Sequence, residues 1–563
     1  MGYVYMPDRC LPEQISRIRI SATTLGDMLL TSCDRSPEKP AVIFPDAQVT
    51  YAELVANAFA RARGLWALGI RRGDHVGILT TSGVPFVENL FAVAMCGGVS
   101  VLMNTRYRPL ELAYVSENAD LRAILTSDEI SEHVDFVARL REAFVELGAQ
   151  PGGTPLQLSA APKLRHIILL GGRTEPGFVD ERAFEYGAAQ VDENLIHHAR
   201  LCVRVRDTCM ILYTSGTSAN PKGCLLSHEA IVREAANLGR NRWAFDETDR
   251  IWSPMPLFHV AALLAMLSAL DVGGTFYGLP HFDAGASLKQ IEQDRVTMLF
   301  LPFVTFHQAL IGHPDFEKTD MSSVRLMNSC FGAMPASVGD AYRAKVPHTL
   351  QCGTFGMTEA SGIVATGGYG MDPELGFTRL GWPLAGIEVR IADVDTGEDL
   401  PPDAHGEVLI RGYNLFDGYY RDAEKTAQAL DAEGWFHSGD IGSLDRNGHI
   451  MFHGRFKDML KVGGENVAAA EVEAVLQRHP AVKLAQVIGL PDARLDEVPA
   501  AYVELEAAHT ATEAELIDYV REQIASFKVP RHVRFIAEWP MSASKIQKFK
   551  LRQGLMRELE IGE

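Results

Sequence analysis

No C-x-x-C pair occurs anywhere in the 563 residues, and the eight cysteines, Cys10, Cys33, Cys96, Cys202, Cys209, Cys224, Cys330 and Cys352, stand singly. That spacing argues against a zinc or dithiol redox site and predicts reduced, mostly buried thiols in a cytoplasmic protein. Long apolar runs are lacking too. The longest stretches, such as Val260 to Leu270, fall well short of the ~20 residues a bilayer requires, so no membrane span is expected. The opening Met-Gly-Tyr-Val-Tyr-Met has neither the basic stretch nor the apolar core of a secretory signal, and Met6 stands where a myristoylation motif wants Ser or Thr. Positive charge is in deficit: 53 Lys and Arg against 72 Asp and Glu leave a net charge of -19. Such a field repels nucleic acid and acidic membrane surfaces, which leaves room only for a local basic cleft. There is no repeat of fixed period and no low-complexity tract.

What remains is globular: 47% hydrophobic and 22% charged residues, over a length that predicts two to four packed units at ~100–200 residues each. Residues 75–103 run from an apolar strand (His75 onward) through a helix over Val84 to Met95 into a strand ending at Met103, a β-α-β pattern that predicts parallel sheet with covering helices. Similar alternation recurs over 251–352, and the Gly, Pro and Ala-rich stretch 148–163 reads as a surface loop. The last hundred residues read as a separate small unit. Its expected elements are a helix beginning near Val467, strands over Leu484 to Leu490 and Ala500 to Leu505, and a helix capped by Thr512-x-x-Glu515 with Leu516, Val520 and Ile524 as its apolar stripe. The polar run Gly454-Arg-Phe-Lys-Asp458 marks the expected boundary.

The richest chemistry lies in Ile211-Leu-Tyr-Thr-Ser-Gly-Thr-Ser-Ala-Asn-Pro-Lys-Gly223. An apolar run delivers small and hydroxylic residues whose N–H groups and side-chain oxygens suit phosphate, and Lys222 adds a cation. The order is wrong for a Walker A loop, because Pro221 and Lys222 precede Gly223. The plainer alternative is a Ser/Gly turn between strands. The stretch Thr214 to Gly223 resembles the phosphate loop of the adenylate-forming superfamily, which contains acyl-CoA synthetases, peptide-synthetase adenylation domains and luciferases. Five further segments resemble that superfamily in order and approximate spacing: Met255-Pro-Leu-Phe-His259, Phe355-Gly-Met-Thr-Glu359, Gly434-Trp-Phe-His-Ser-Gly-Asp440, Gly454 to Asn466, and Ser544-Lys-Ile-Gln-Lys-Phe-Lys550. Together they cover essentially the whole chain.

The resemblance implies an α/β fold with a large multi-subdomain N-terminal domain, residues 1–456, and a small mobile α+β lid, residues 457–563. It implies an AMP-forming acid–thiol ligase, an acyl-CoA synthetase using ATP, Mg²⁺ and coenzyme A. Its phosphate contacts would be Thr214, Ser215, Gly216, Thr217, Ser218 and Lys222. Glu359 would hold Mg²⁺, with Thr358 as a phosphate donor, because a carboxylate approaching an anionic phosphate needs a cation and preorganised donors. Phe355 offers a flat face to adenine, with Thr354 and the Gly332-Ala333 turn lining the same pocket. Asp440 suits a ribose diol, and Arg455 the sugar or a phosphate. Singly, each of these residues has a plainer reading: a helix cap, a core Phe, an Asx turn, a surface ion pair.

His259 falls where the resemblance places the border between acyl pocket and thiol passage. Amino-acid-activating relatives carry Asp after the preceding Phe, so His259 argues against an amino-acid substrate. No Ser or Cys nucleophile pairs convincingly with it. Lys545 resembles the family's mobile catalytic lysine, with Ser544 in place of the usual Gly, although a solvated charge run is its plainer reading. Gly463 and Gly464 match a loop that enters the active site for the second half-reaction, Lys457 matches the hinge, and Ala468 and Ala469 replace the usual Ser-Pro. The expected substrate is a hydrophobic monocarboxylic acid, fatty or carbocyclic, with Val260 to Leu267, Phe303 to Phe306 and Ile363 lining its pocket, although ordinary buried helices and strands are the plainer reading of that pattern. Two alternatives stay open: transfer of the acyl group to a carrier-protein thiol or other acceptor, and a catalytically silent nucleotide-binding scaffold.

Overall fold

The computed structural model describes residues 23–131, 134–151, 154–214, 221–302, 304–330, 336–393, 396–455, 459–505, 509–542, 545–546 and 548–561. Its described residues form two compact units. The first comprises the described residues within 1–105, 116–212 and 223–454, and the second those within 106–115, 213–222 and 455–563.

The β-α-β expectation is met at 75–103: strand His75–Leu79, helix Val84–Met95 and strand Val99–Leu102. Every residue of that helix except Pro85 is buried, and its two strands pair in parallel. They are the centre of a seven-stranded sheet ordered Val179–Asp180, His166–Leu170, Ala123–Ser127, His75–Leu79, Val99–Leu102, Thr208–Thr214, Lys222–Ser227. Near-continuous apolar strands such as Ala123–Ser127 fit burial on both faces of a parallel sheet. A second, nine-stranded sheet has a parallel centre containing Arg250–Ser253, Met298–Phe300, Leu326–Cys330 and Leu350–Phe355, with antiparallel strands at its edges. Helix Val260–Asp271 is buried at all its positions and belongs to the main core. A four-stranded antiparallel sheet, Ile387–Ala392, Gly406–Gly412, Phe436–Leu444 and Ile450–Arg455, completes the first unit.

In the second unit, strands Val482–Asp492 and Asp496–Leu505 pair along their length, and His532–Phe535 adds to the latter in parallel. The capping box at Thr512 and Glu515 is formed, with Leu516 and Val520 buried on helix Glu513–Gln523. The helix expected near Val467 is present and begins at Ala469. Val467 itself lies in strand Glu465–Ala468, paired with Met459–Val462. The two-residue hairpin between those strands fixes the extended conformation through Ala468, which the apolar pattern alone did not reveal. Lys528 is buried between Glu111 and Glu471, at 2.8 and 2.6 Å, so its ammonium is neutralised by carboxylates from two segments of this unit. Cys96, Cys209, Cys224 and Cys352 are buried free thiols, Cys33 is half-buried and Cys202 is exposed. Among the described residues no helix is long and apolar enough to cross a membrane.

Candidate active site

Strand Thr208–Thr214 delivers the chain into the phosphate-loop stretch, and strand Lys222–Ser227 carries it away. Thr214 and Lys222 are half-buried. Ser215, Gly216, Thr217 and Ser218 lie outside the described residues, as do Gly332, Ala333 and Lys457. Strand Leu350–Phe355 ends at Phe355, which is buried with its ring 6.5 Å from that of Phe452. Thr354 turns its hydroxyl inward: Asn328 Nδ2 donates to it, and it shares a 2.7 Å hydrogen bond with Thr366. That engagement leaves the backbone of Thr354, not its hydroxyl, as the part available to a nucleotide.

Beyond Phe355 the chain turns through a 3-10 turn, Thr358–Ala360, so the adjacent polar residues Thr358 and Glu359 sit half-buried at a strand end. Gly356 is required here by close approach, because a Cβ would lie 1.8 Å from the carbonyl oxygen of Gly362. Three hydrogen bonds from the loop Asn414–Tyr420 fix this turn. The Phe416 N–H donates to Glu359 O (2.8 Å), Asn414 Nδ2 to Ala360 O (3.1 Å), and Tyr419 Oη to Glu359 Oε1 (2.9 Å). Behind it, buried Glu234 accepts from Tyr413 Oη at 3.0 Å, and Asn237 donates to the same phenol. Burial holds the Glu234 carboxyl well above the usual carboxylate range. Sequence reasoning missed Tyr419, Asn414 and Glu234, since each acts through space on a turn far away in the chain.

A magnesium ion fits the donor set. Glu359 Oε1 is held by Tyr419 Oη at 2.9 Å, which leaves the second carboxylate oxygen to a cation. A single oriented carboxylate is what Mg²⁺ takes when phosphates and water supply its other ligands.

Asp440 lies in strand Phe436–Leu444, whose pairing with Gly406–Gly412 shifts register between Glu407 and Leu409. Gly439, at φ +67°, supplies the left-handed residue of that bulge, and its N–H donates to Glu407. Asp440 is buried there, and its N–H donates to the Ser438 hydroxyl at 3.0 Å, which fixes the backbone that carries its carboxylate. Arg455 closes strand Ile450–Arg455, and Lys545 opens strand Lys545–Ile546, paired with Met541–Ser542. His259 precedes helix Val260–Asp271 at its N-cap, with its ring tilted on Phe258 at 4.5 Å. Gly463 and Gly464 form the two-residue turn of a hairpin, with φ +56° and +84° and Val462 opposite Glu465.

A model of the AMP-binding enzyme family matches residues 29–420, and that of the AMP-binding enzyme C-terminal domain matches residues 471–545. The chain belongs to this family. It is an enzyme of the adenylate-forming superfamily, in its acyl-CoA synthetase and AMP-dependent ligase branch. The medium-chain acyl-CoA ligase ACSF2 of Danio rerio is 30% identical over 548 residues, covering 96% of this chain and 89% of its own. A CoA ligase of Mycobacterium tuberculosis, named for a methyl-dioxo-octahydroindenyl propanoyl group, is 34% identical over 521 residues, covering 92% and 96%. The solved amide bond synthetase McbA of Marinactinospora thermotolerans is similar at a TM-score of 0.77 with 28% identity, covering 94% of this chain and 99% of that one.

Proposed function

We propose that the enzyme activates a hydrophobic monocarboxylic acid, fatty or carbocyclic, as its acyl-adenylate and passes the acyl group to coenzyme A. The observation that carries the substrate class is the helix behind His259. All of Val260–Asp271 is buried, and Gly362 packs so closely that a Cβ there would lie 2.6 Å from Leu264 Cδ1. The first eight residues of this helix, Val260 to Leu267, are apolar throughout and carry no carboxylate for an ammonium group. The relatives named for medium-chain and fused-ring acids support the same class.

In the first half-reaction a carboxylate oxygen attacks the α-phosphorus of ATP, the bond to the β-phosphate oxygen breaks, and pyrophosphate leaves. Thr214, Ser215, Gly216, Thr217, Ser218 and Lys222 hold the phosphates. Thr358 donates to them, Phe355 covers the adenine, and Asp440 and Arg455 hold the ribose. Glu359 holds Mg²⁺, which when bound offsets the phosphate charge. Lys545, on the lid of residues 457–563, brings its ammonium to the developing charge. In the second half-reaction the CoA sulfur, having lost its proton, bonds to the acyl carbon and AMP leaves. Closing a lid over the mixed anhydride excludes water, with Lys457 as hinge and Gly463-Gly464 as the narrow passage for the thiol.

The test is pyrophosphate release over a panel of acids with and without CoA. Apolar acids should release pyrophosphate, and CoA should yield the thioester. An amino acid outperforming every uncharged-tail acid would overturn the substrate class. Turnover indifferent to CoA but dependent on a carrier protein or an amine would favour the other acceptor, a reading for which the likeness to an amide bond synthetase speaks.

A further inference from the structure

Glu359 is held by its surroundings before any ligand arrives. Its carbonyl accepts from the Phe416 N–H, and its side-chain Oε1 accepts from Tyr419 Oη at 2.9 Å. The donor is well fixed: Tyr419 is buried, its ring sits edge-on to Phe416 at 4.8 Å, and its N–H donates to Thr426. The surrounding loop is bound in turn to the strand that leaves the phosphate-binding stretch. The Asp417 N–H donates to Leu225 O, the Leu225 N–H to Gly418 O and the Tyr420 N–H to Gly223 O, at 2.9, 3.0 and 2.8 Å. One short loop therefore sets the carboxylate and the phosphate strand in a common frame.

A glutamate has three side-chain torsions that must be frozen when it is fixed on a ligand, which costs entropy. A hydrogen bond to one oxygen freezes them beforehand and leaves the other oxygen to the cation. Such outer partners typically change metal affinity or activity by ~10–100-fold when removed. We propose that Tyr419 is a positioning residue, which presets the Glu359 carboxylate for Mg²⁺ through the Tyr419 Oη to Glu359 Oε1 hydrogen bond. This rests on the assignment of Glu359 as the magnesium carboxylate.

Tyr419→Phe tests it, because the ring and its packing remain while the donor is lost. Two readings are taken on the full-length enzyme: the Mg²⁺ dependence of pyrophosphate release, and Mn²⁺ binding followed by electron paramagnetic resonance with a non-hydrolysable ATP analogue. The Mg²⁺ concentration for half-maximal rate should rise ~10–100-fold, Mn²⁺ affinity should fall by a similar factor, and excess metal should restore most of the rate while the KM for the acid holds. Unchanged metal dependence, or a loss that excess metal does not restore, would overturn the role. Glu359→Gln run in parallel separates the premise. If it too leaves metal affinity unchanged, the magnesium assignment itself has failed; if it weakens metal binding and Tyr419→Phe does not, only the positioning role has.

Discussion

Lys545 and Tyr419 show what a sequence discloses at the scale of one residue and what it withholds. Lys545 is marked by its neighbours in the chain, Ile546 to Lys550, because a motif is a local pattern. Tyr419 is not marked by anything nearby. It lies sixty positions from the carboxylate it serves, and only the folded chain brings the phenol to Glu359. The same holds for Glu234, whose partner Tyr413 is 179 positions away. The proposed role of Lys545 has a distinct signature. If its ammonium acts only while charge develops on the α-phosphate, Lys545→Ala should slow pyrophosphate release by ~10²–10³ and still convert supplied acyl-adenylate to acyl-CoA. Equal loss of both half-reactions, with circular dichroism unchanged, would remove it from that role.

Among the elements, those with strong internal periodicity were legible and those set by pairing were not. The helix Val84–Met95 follows from its own apolar run, and the helix Glu513–Gln523 from its apolar spacing and its capping box. The strand through Ala468 and the bulge beside Asp440 depend on which strand lies alongside, which no local pattern contains. The Gly463-Gly464 hairpin makes this concrete. Both residues have positive φ, as a two-residue turn joining right-twisted strands requires. Asn tolerates that region and a branched apolar side chain does not. Gly463→Asn should therefore keep the fold and much of the thioester-forming rate. Gly464→Leu should strain the turn and obstruct the proposed thiol path, lowering thioester formation far more than pyrophosphate release. The two half-reaction rates measured separately decide it, and a Gly464→Leu enzyme with normal thioester formation would count against the passage.

Over the whole molecule, composition and the motif series gave the α/β class and the family, while the strand order of both large sheets stayed hidden, since crossovers place distant strands side by side. Stability against acid is another whole-molecule property. Burial lowers His228 to about 4, with its Nδ1 accepting from the Leu25 N–H, and lowers His307 to about 4, with its Nε2 donating to Leu301 O. Both stay neutral in the native state, whereas in the unfolded chain they take up protons near pH 6.5. Their contribution is therefore complete above about pH 6.5 and is lost as pH falls toward 4, at most about 3 kcal/mol for each. Urea unfolding midpoints measured from pH 7 to 4.5 should fall, and His307→Asn should flatten that slope by about one proton; an unchanged slope would contradict it. The buried thiols have a different consequence. Burial pushes Cys96 and Cys352 up to about 12 and raises Cys209 further, so these sulfurs are both shielded and protonated. A thiol reagent reaches them only when the surrounding structure opens, so among the described cysteines it consumes exposed Cys202 and half-buried Cys33 first and then counts openings. Cys209 lies on the strand entering the phosphate stretch and Cys352 on the strand ending at Phe355, so the slow phases of thiol labelling become a clock for how firmly nucleotide clamps those two strands.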